Sequence, residues 1–558
     1  MKKEKKRVTE KIKERPPLPQ KAKEKTPFPF FPVRAEWIMV FSLVLFLCAS
    51  IFLVQDYGMN IDSQKNFREG EMNLNYFLTG KVDQMILQWQ MHGAFIFMAA
   101  DIAKRLLHDT FHLYDPVAAR HILLPFLTAP FMLFLFFFVK RHWYPLHGVI
   151  AVGVLLTFPS FWGHSFNNLK DVPLLIFFSL SIMSFVDWRL SGETKYLYRF
   201  FIFLGVALSI KTYAIFVPLI VLFWIALKPK GSDSPVSFPP RWIMILHASI
   251  GLLIAVIIVL AFYAPAFWGV EDKWSFLVFW HDRIKEITWG RDNPLSIYPF
   301  VQVFYRTPLM VLALAVTGVY WAVWEYRKSP FYSLLLIWVL IPLIIPCFPH
   351  TVVYHNGLRH FFVFLVPYSI LAVAGLVQGA GFLAGKLKVG AKTLIVGIAA
   401  IAIGLNLLGI VATHPYQTTF FNALAGGLKG AQEKGVADAW DYWLNSYKEA
   451  GRWINLYGAV NSKVLAVYYS GTPPVFNTEL IKDSIDRADI KTFHLQRIPA
   501  RQGRGIIPEN TYVVLVPFDY LRSRRMMLER SGEFQKVYSI SRQGGEICTI
   551  FYKPPGPL

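Results

Sequence analysis

The chain has 558 residues, of which 54% are apolar and only 17% are charged. Ordinary globular proteins carry about 25% charged residues, so this composition excludes a soluble protein, a disordered chain, a coiled coil and a small disulfide scaffold. The formal net charge of +21 would indicate nucleic-acid binding in a soluble protein, but its placement along the chain indicates a polytopic membrane protein without a nucleic-acid partner.

Residues 1–34 carry twelve of the basic residues in a Pro- and Lys-rich segment without apolar periodicity. Such a segment predicts a basic disordered cytoplasmic tail that faces anionic lipid. The three cysteines, Cys48, Cys347 and Cys548, lie far apart in the chain. Their spacing excludes both a disulfide framework and a cysteine-based zinc site.

Eleven apolar segments follow the tail, and each approaches the length that a spanning helix needs. They are residues 37–54, 121–139, 148–162, 172–188, 196–210, 212–227, 242–264, 308–324, 331–348, 361–377 and 393–412. The fifth segment is short, and Lys211 alone separates it from the sixth. We therefore predict an α-helical membrane domain over residues 35–412 with about eleven transmembrane helices.

The orientation follows from the basic residues between these segments. With the N-terminus in the cytoplasm, the five inward connections are residues 140–145, 189–195, 228–241, 325–330 and 379–392, and each carries two or more Lys or Arg. This agrees with the positive-inside rule. Removing the fifth segment as a span would reverse everything after it, so we retain it. The C-terminus is then predicted to lie outside the cytoplasmic (inner) membrane.

Two of the predicted outer parts are long. The first outer loop, residues 55–120, contains an amphipathic stretch at 83–108 that predicts a helix lying in the membrane interface. Residues 413–558 change composition, with a helical pattern near 437–457, β-branched runs at 463–469 and 511–517, and two further runs, 536–541 and 546–552, around a Gly-Gly pair. They predict a small extracytoplasmic α/β domain that ends in a hairpin.

Sequence motifs of common soluble chemistry are missing, so the candidate functional groups are charges near the ends of the spans. Two carboxylates, Asp56 and Asp62, follow the first span. Asp56 has a simple alternative interpretation as a helix-end residue, whereas Asp62, between Ile61 and the amphipathic stretch, is the stronger candidate. Glu69 is interpreted as an ordinary loop charge.

A basic set lies at the same predicted face. Lys170 stands before Asp171 at the start of the fourth span, Lys211 stands in a very short turn, and Arg359-His360 begin the tenth span. Asp171 has a structural interpretation as a residue that favours the positive end of a helix. Each cation alone could simply reach toward solvent, but together they could hold a phosphate group.

Several short motifs, in this order, resemble the bacterial dolichyl-phosphate-mannose-protein mannosyltransferase-like family. This family belongs to the C-type membrane glycosyltransferase superfamily, which also includes the aminoarabinose transferases. The motifs are NID at 60–62, NLKDVP at 168–173, YHNGLRH at 354–360, HPY at 414–416 with FN at 421–422, and DYW at 441–443 followed by Ser446 and KEA at 448–450. One departure is that many relatives have Asp-Glu in the first loop, where this chain has Asp62-Ser63.

The resemblance implies transfer of a hexose or pentose from a polyprenyl-phosphate sugar to a protein, lipid or glycan acceptor on the outer face. A separate argument agrees, because nucleotide sugars are not available outside the cytoplasmic membrane and the donor must then be carried across on a lipid. The resemblance also implies inversion at the anomeric carbon. It implies no metal and no other cofactor, because side-chain cations already match the single phosphate.

In the predicted single displacement, Asp62 accepts the proton of the acceptor hydroxyl, and the polyprenyl phosphate leaves toward Lys170, Lys211 and Arg359. Asp171 is predicted to orient Lys170 or to help bind the acceptor. Three further residues are candidates for sugar or acceptor binding, namely His92, His360 and Tyr354.

Two other functions are compatible with a polytopic chain. A lipid-linked sugar flippase would want polar groups near the middle of the membrane, whereas the ionisable residues here gather at the outer side. A non-enzymatic envelope-assembly scaffold would leave the outward Lys and Arg unexplained. Formation of a covalent product distinguishes a transferase from both.

Overall fold

The chain folds into a bundle of apolar helices followed by a small sheet. The structure is a computed structural model that describes residues 34–83, 92–227, 240–265, 280–281, 295–327, 329–349, 356–467, 481–493, 507–517 and 522–556. The predicted tail at 1–34 therefore lies outside the described residues except for Arg34. The predicted fold class is confirmed in its main features, a polytopic helical membrane protein with a small C-terminal sheet.

Helices lie at all eleven positions where the sequence predicts a span. They are α1 (Ala35–Leu53), α5 (Leu123–His142), α6 (Pro145–Leu156), α8 (Asp171–Ser191), α9 (Thr194–Leu208), α10 (Phe216–Ala226), α11 (Arg241–Phe262), α13 (Leu309–Glu325), α14 (Pro330–Ile344), α15 (Leu365–Leu387) and α16 (Ala391–Thr413). Within the described part of the chain, seven helical segments are long and apolar enough to cross a membrane, and three shorter ones are also apolar. The count of eleven crossings and their orientation stay predictions.

Short helices connect and extend this bundle. They are α2 (Ser63–Thr79), α3 (Phe95–Lys104), α4 (Pro116–His121), α7 (Pro159–His164), α12 (Tyr298–Arg306), α17 (Gly427–Glu433), α18 (Tyr447–Tyr457) and α19 (Arg522–Arg530). Helix α3 confirms a helix within the predicted amphipathic stretch, of which residues 84–91 lie outside the described chain. Helix α2 was not predicted from the sequence.

Helices α2 and α3 pack closely because a glycine stands between them. A Cβ atom added at Gly70 would lie 2.3 Å from the carbonyl oxygen of Phe97. Helices α13 and α15 also pack closely, with a glycine at each of two contacts. A Cβ at Gly318 would lie 1.8 Å from Leu371 O, and one at Gly375 would lie 1.9 Å from Leu314 O. Small residues allow such close backbone approach between membrane helices. Helix α15 continues directly from the 3₁₀ turn Arg359–Phe364, so this packing also fixes the element that carries Arg359.

The C-terminal sheet has five strands in the order β2-β1-β3-β5-β4. Their bounds are β1 (Lys463–Val467), β2 (Lys491–Thr492), β3 (Thr511–Leu515), β4 (Gln535–Arg542) and β5 (Gly545–Lys553). Strands β2, β1 and β3 are parallel, whereas β3, β5 and β4 are antiparallel. The predicted hairpin is therefore confirmed, and its turn residues Gln543 and Gly544 have φ of 46° and 70°, as a two-residue turn of this hand requires.

Candidate active site

Five charged side chains meet at one end of the helix bundle, although they come from distant parts of the sequence. Asp62 lies between α1 and α2, Lys170 and Asp171 begin α8, Lys211 connects α9 to α10, and Arg359 begins the turn before α15. Oppositely charged atoms of these side chains lie 2.8–3.5 Å apart. The structure thus brings together all five residues that the sequence analysis assigned to catalysis and phosphate binding, and their roles stay predictions.

Asp62 contacts two of the three cations through a single oxygen. Its Oδ2 accepts from Lys170 Nζ at 2.9 Å and from Arg359 Nη1 at 3.0 Å. Burial alone would raise the pKa of the Asp62 carboxyl, but these two cations outweigh it and hold that pKa well below its usual range. The Asp62 side chain keeps 28% of its surface exposed. It is therefore an ionised carboxylate that faces the cluster and remains reachable.

Asp171 serves as the second carboxylate and is almost fully buried. Its Oδ1 accepts from Lys211 Nζ at 2.8 Å, and its Oδ2 lies 3.5 Å from Arg359 Nη1. The sequence predicts that Asp171 orients Lys170 or helps bind the acceptor. The first alternative is not what the geometry shows, since Lys170 pairs with Asp62 and Asp171 pairs with Lys211. The physical reason is that consecutive residues at a helix start point in different directions.

Asn168 organises the start of α8 and was missed by the sequence analysis. Its Oδ1 accepts from the backbone N–H groups of Lys170 at 3.1 Å and of Asp171 at 2.9 Å, while its Nδ2 donates to Asp171 Oδ2 at 3.0 Å. The available signal was an asparagine two and three residues before the charged pair, because such a side chain commonly binds the backbone of a following turn. Asn168 therefore fixes where both charges point.

Asn60 does the same for the first loop. Its Oδ1 accepts from the backbone N–H of Asp62 at 2.9 Å, and its Nδ2 donates to the carbonyl of Asn167 at 2.7 Å. The loop that carries Asp62 is thereby bonded to the turn that carries Lys170 and Asp171. The asparagine of the NID motif thus joins two elements that are more than 100 residues apart.

The cluster carries three cations against two carboxylates, and so one net positive charge. Burial lowers the pKa of the Lys211 ammonium, and Asp171 opposes that effect. Lys211 Nζ also lies 3.4 Å from His360 Nδ1, so the imidazole accepts there and is neutral. A positively charged, partly dehydrated cluster at a helix-bundle end has the chemistry to bind a phosphate group.

The three residues predicted for sugar or acceptor binding have different outcomes. His360 contacts Lys211, as described. Burial holds the pKa of His92 well below its ordinary value, and the charges of Lys170 and Lys211 lower it further. His92 therefore lies near the same charges. Tyr354 lies outside the described residues. The two described histidines are therefore in range of the cluster, and what they bind stays a prediction.

Within the described ranges, His, Cys, Asp and Glu form no group of three or more that could hold a metal ion. The independence from metal and other cofactors that the resemblance implies stays a prediction.

Part of the sequence matches a known family. Residues 118–266 match the family described as dolichyl-phosphate-mannose-protein mannosyltransferase. This stretch includes Lys170, Asp171 and Lys211, while Asp62 and Arg359 lie outside it. No curated protein matches the chain.

Solved structures that match the chain include one of ArnT and one of an oligosaccharyltransferase. ArnT from Cupriavidus metallidurans bound to undecaprenyl phosphate has a TM-score of 0.50 at 12% identity, covering 92% of this chain and 97% of that one. The Archaeoglobus fulgidus oligosaccharyltransferase tethered to an acceptor peptide has a TM-score of 0.45 at 11% identity, covering 82% and 64%. The structural similarity to ArnT at this low sequence identity indicates a shared fold and no more.

The family match, the ArnT-like fold and the order of the charged motifs point the same way. The resemblance predicted from the sequence is therefore confirmed as a resemblance: residues 118–266 match the dolichyl-phosphate-mannose-protein mannosyltransferase family, and the chain shares its fold with ArnT.

Proposed function

We propose that this protein transfers a sugar from a polyprenyl-phosphate donor to an envelope acceptor on the outer face of the cytoplasmic membrane. The observation that carries the proposal is the cluster of Lys170, Lys211 and Arg359 around two carboxylates at the end of the helix bundle. A lipid phosphate sits at headgroup depth, where such a cluster would meet it. The ArnT structure with undecaprenyl phosphate supports the choice of donor.

Donor binding rearranges the ion pairs of the cluster. Lys170 and Arg359 both contact Asp62 Oδ2, so a donor phosphate competes with Asp62 for these cations. Phosphate oxygens bind guanidinium and ammonium groups by strong charge-assisted hydrogen bonds. The phosphate therefore neutralises the surplus positive charge and withdraws the two cations from Asp62.

This competition activates Asp62 as a base. A carboxylate held by two cations is a weak proton acceptor, because both cations stabilise its ionised form. Once the phosphate takes these cations, the pKa of Asp62 rises toward its ordinary value, and Asp62 becomes a better general base. Proton abstraction from the acceptor is then efficient only when a donor is present.

The chemical step is a single displacement. The acceptor hydroxyl oxygen attacks the anomeric carbon and gives its proton to Asp62, while the bond between that carbon and the phosphate oxygen breaks. The bonding electrons leave with the polyprenyl phosphate, whose charge Arg359, Lys170 and Lys211 stabilise. Attack opposite to the leaving group inverts the anomeric centre. Asp171 positions Lys211 and Arg359 throughout.

A transfer assay tests the proposal independently of the acceptor's identity. Purified full-length protein in detergent is incubated with undecaprenyl-phosphate mannose, glucose or aminoarabinose and with an envelope extract from cells lacking the gene. Mass spectrometry should detect free undecaprenyl phosphate and a glycosylated acceptor. Both products should form at least about a hundredfold more slowly with Asp62→Asn. A flippase or a scaffold would yield no covalent product with any donor, and that result would overturn the proposal.

Topology is tested separately with reporter fusions. A reporter that is active only outside the cytoplasm should be active after Leu558 and silent near Lys388, since three lysines cluster around that predicted inward connection. Activity near Lys388 would reverse the predicted orientation and place the cluster on the cytoplasmic side.

A further inference from the structure

Residues 438–446 form a largely buried segment between α17 and α18 that the transfer mechanism does not use. This 438–446 segment contains the Asp441-Tyr442-Trp443 motif, and Asp438, Tyr442, Trp443 and Asn445 are each at most 3% exposed. It follows the last long helix in sequence, yet its side chains do not simply fill the core of the sheet. Its contacts run to three of the four elements that carry the charged cluster, namely the Asp62 loop, the turn before α8 and the turn that carries Arg359.

Trp443 touches two of these elements at once. The Arg359 guanidinium carbon lies 4.6 Å from the centre of a Trp443 ring, in the geometry of a cation–π contact. The Trp443 carbonyl accepts from the backbone N–H of Ile61 at 3.1 Å, directly before Asp62. One residue therefore holds the face of Arg359 and the loop of Asp62, the two groups that form the ion pair at the centre of the cluster.

Asn445 and Tyr442 contact the third element, the turn before α8. Asn445 Oδ1 accepts from Asn167 Nδ2 at 2.8 Å, and the Tyr442 hydroxyl lies 3.3 Å from His164 Nε2. Burial lowers the pKa of His164 to about 3, so its ring is neutral. Since Asn168 Nδ2 lies 3.2 Å from His164 Nδ1, that nitrogen accepts, and Nε2–H donates to Tyr442. The chain of bonds ends at Asn168, which orients Lys170 and Asp171.

Asp438 holds the loop that leads into Arg359. Its Oδ2 accepts from the backbone N–H groups of Asn356 at 2.7 Å and Gly357 at 3.1 Å, and also from the Tyr298 hydroxyl. Asn356 and Gly357 have φ of 102° and 66°, and this left-handed backbone is costly for Asn356 unless partners hold it. A Cβ at Gly357 would lie 2.8 Å from the Tyr442 hydroxyl oxygen, so the loop also packs directly on the segment.

We propose that the 438–446 segment is the positioning element of the active site, and that Trp443 sets the Arg359 guanidinium for the donor phosphate. The inference rests on the proposed function. Three cations at short range repel one another, and a cation pressed against an aromatic face loses freedom to swing toward solvent. The segment thereby restricts the movement of the Arg359 guanidinium while its ion-pair partner changes from Asp62 to the donor phosphate.

Direct binding of undecaprenyl phosphate to the purified full-length protein tests the role of Trp443. Trp443→Leu keeps an apolar side chain but removes the aromatic face, and should raise the dissociation constant about tenfold. Trp443→Phe restores a face and should remain within about threefold of wild type. Both variants lose ring volume, so equal weakening by the two would show a packing effect only and overturn the proposal.

A double-mutant cycle separates positioning from general loss of packing. If Trp443 acts through Arg359, Trp443→Leu should add almost nothing to the weakening already caused by Arg359→Ala. Additive losses would overturn the proposal. Should Trp443→Leu fail to fold, Asn445→Ala, which removes a smaller group, should weaken binding about threefold. Unchanged binding by that variant would also overturn the proposal.

The matched control is Trp453→Leu, since Trp453 stacks on Tyr538 in the C-terminal region and lies outside the cluster. It should lose stability and retain donor binding. Wild-type binding without any sugar transfer would overturn the proposed function and leave Trp443 to be judged by the cycle. Failure of the wild type to bind undecaprenyl phosphate would overturn the donor and the role of Trp443 together.

Discussion

Two networks of charged side chains, one at the end of the helix bundle and one on the C-terminal sheet, resemble each other in their contacts but differ in origin. In the sheet, Glu546 Oε1 accepts from Lys536 Nζ at 2.8 Å and from Ser539 Oγ at 2.7 Å, and Arg525 binds its other oxygen. These partners come from neighbouring strands and the preceding helix. Hairpin pairing alone brings most of them together.

The charge balance also differs between the two networks. Arg525 pairs with Glu529 as well as Glu546, so with Lys536 the sheet network has two cations and two carboxylates. The bundle network has three cations and two carboxylates, drawn from segments up to 297 residues apart. In a balanced local network the charges neutralise one another, whereas the surplus charge of a buried network favours the binding of an oppositely charged ligand. Breaking each network should therefore affect a different property of the protein.

The largest effect is expected from Asp62→Asn. Asparagine keeps the size of the side chain but cannot accept a proton at neutral pH, so the rate of sugar transfer should fall about a hundredfold to ten-thousandfold. Donor binding should be retained or strengthened, because the cations hold the phosphate and the variant no longer competes for them. Release of undecaprenyl phosphate in single-turnover experiments measures the rate.

Asp56→Asn is the internal control for that variant. Asp56 ends the 3₁₀ turn that follows α1 and pairs with His414 Nε2 at 2.9 Å, away from the three cations. Its variant should remain mostly active. Near-normal turnover by Asp62→Asn together with an inactive Asp56→Asn or Asp171→Asn would mean that the base has been misassigned.

Arg359→Ala should have the next largest effect and should act on binding. Loss of a charge-assisted contact to the phosphate should weaken donor binding by about 1.5–3 kcal/mol. Titration of the detergent-solubilised variant with undecaprenyl phosphate measures this loss. Arg525→Ala, which removes an arginine from the sheet network, should leave the affinity unchanged; equal weakening by both would erase the distinction between the two networks.

Glu546→Gln should reduce stability without reducing turnover. Burial would raise the pKa of Glu546, but its bonds to Lys536, Thr549 and Ser539 lower it to about 2. A lowered carboxyl pKa gives stability that is complete above about pH 4.5 and is lost as pH falls through about 2. The free energy of unfolding of the wild type should therefore exceed that of the variant by about 1–3 kcal/mol at neutral pH.

Hydrogen–deuterium exchange of peptides from β4 and β5 measures this local stability. The protection difference between wild type and Glu546→Gln should shrink as the pH falls below about 4.5. A constant difference down to pH 2 would show that the charge of Glu546 is not what stabilises the hairpin.

Chelation is expected to have no effect. The cluster already offers side-chain cations to the phosphate, so the transfer rate should be unchanged by EDTA. If activity disappeared and returned with magnesium or manganese, Asp62 and Asp171 would instead be read as metal ligands, and the surplus positive charge would lose its explanation.

The elements with strong local signals could be predicted from the sequence. Apolar length predicts the helices of the bundle, and β-branched runs around a glycine turn predict the β4–β5 hairpin, because burial and turn geometry act over a few neighbouring residues. Helix α2 and the two-residue strand β2 escaped prediction. Helix α2 is mostly polar, and β2 is too short to carry a pattern, so only their contacts with other elements define them.

The sequence by itself determined which charges stand at the ends of the spans, because placing Asp62, Lys170 or Arg359 beside an apolar run is costly and therefore conspicuous. Only the tertiary structure decided their pairing, with Asp62 on Lys170 and Arg359 and with Asp171 on Lys211. The positions of charged residues along the sequence follow no periodic pattern that would predict which of them form ion pairs. The pairing depends on close helix packing and on buried hydrogen bonds between segments hundreds of residues apart, among them the contact of Trp443 with Arg359.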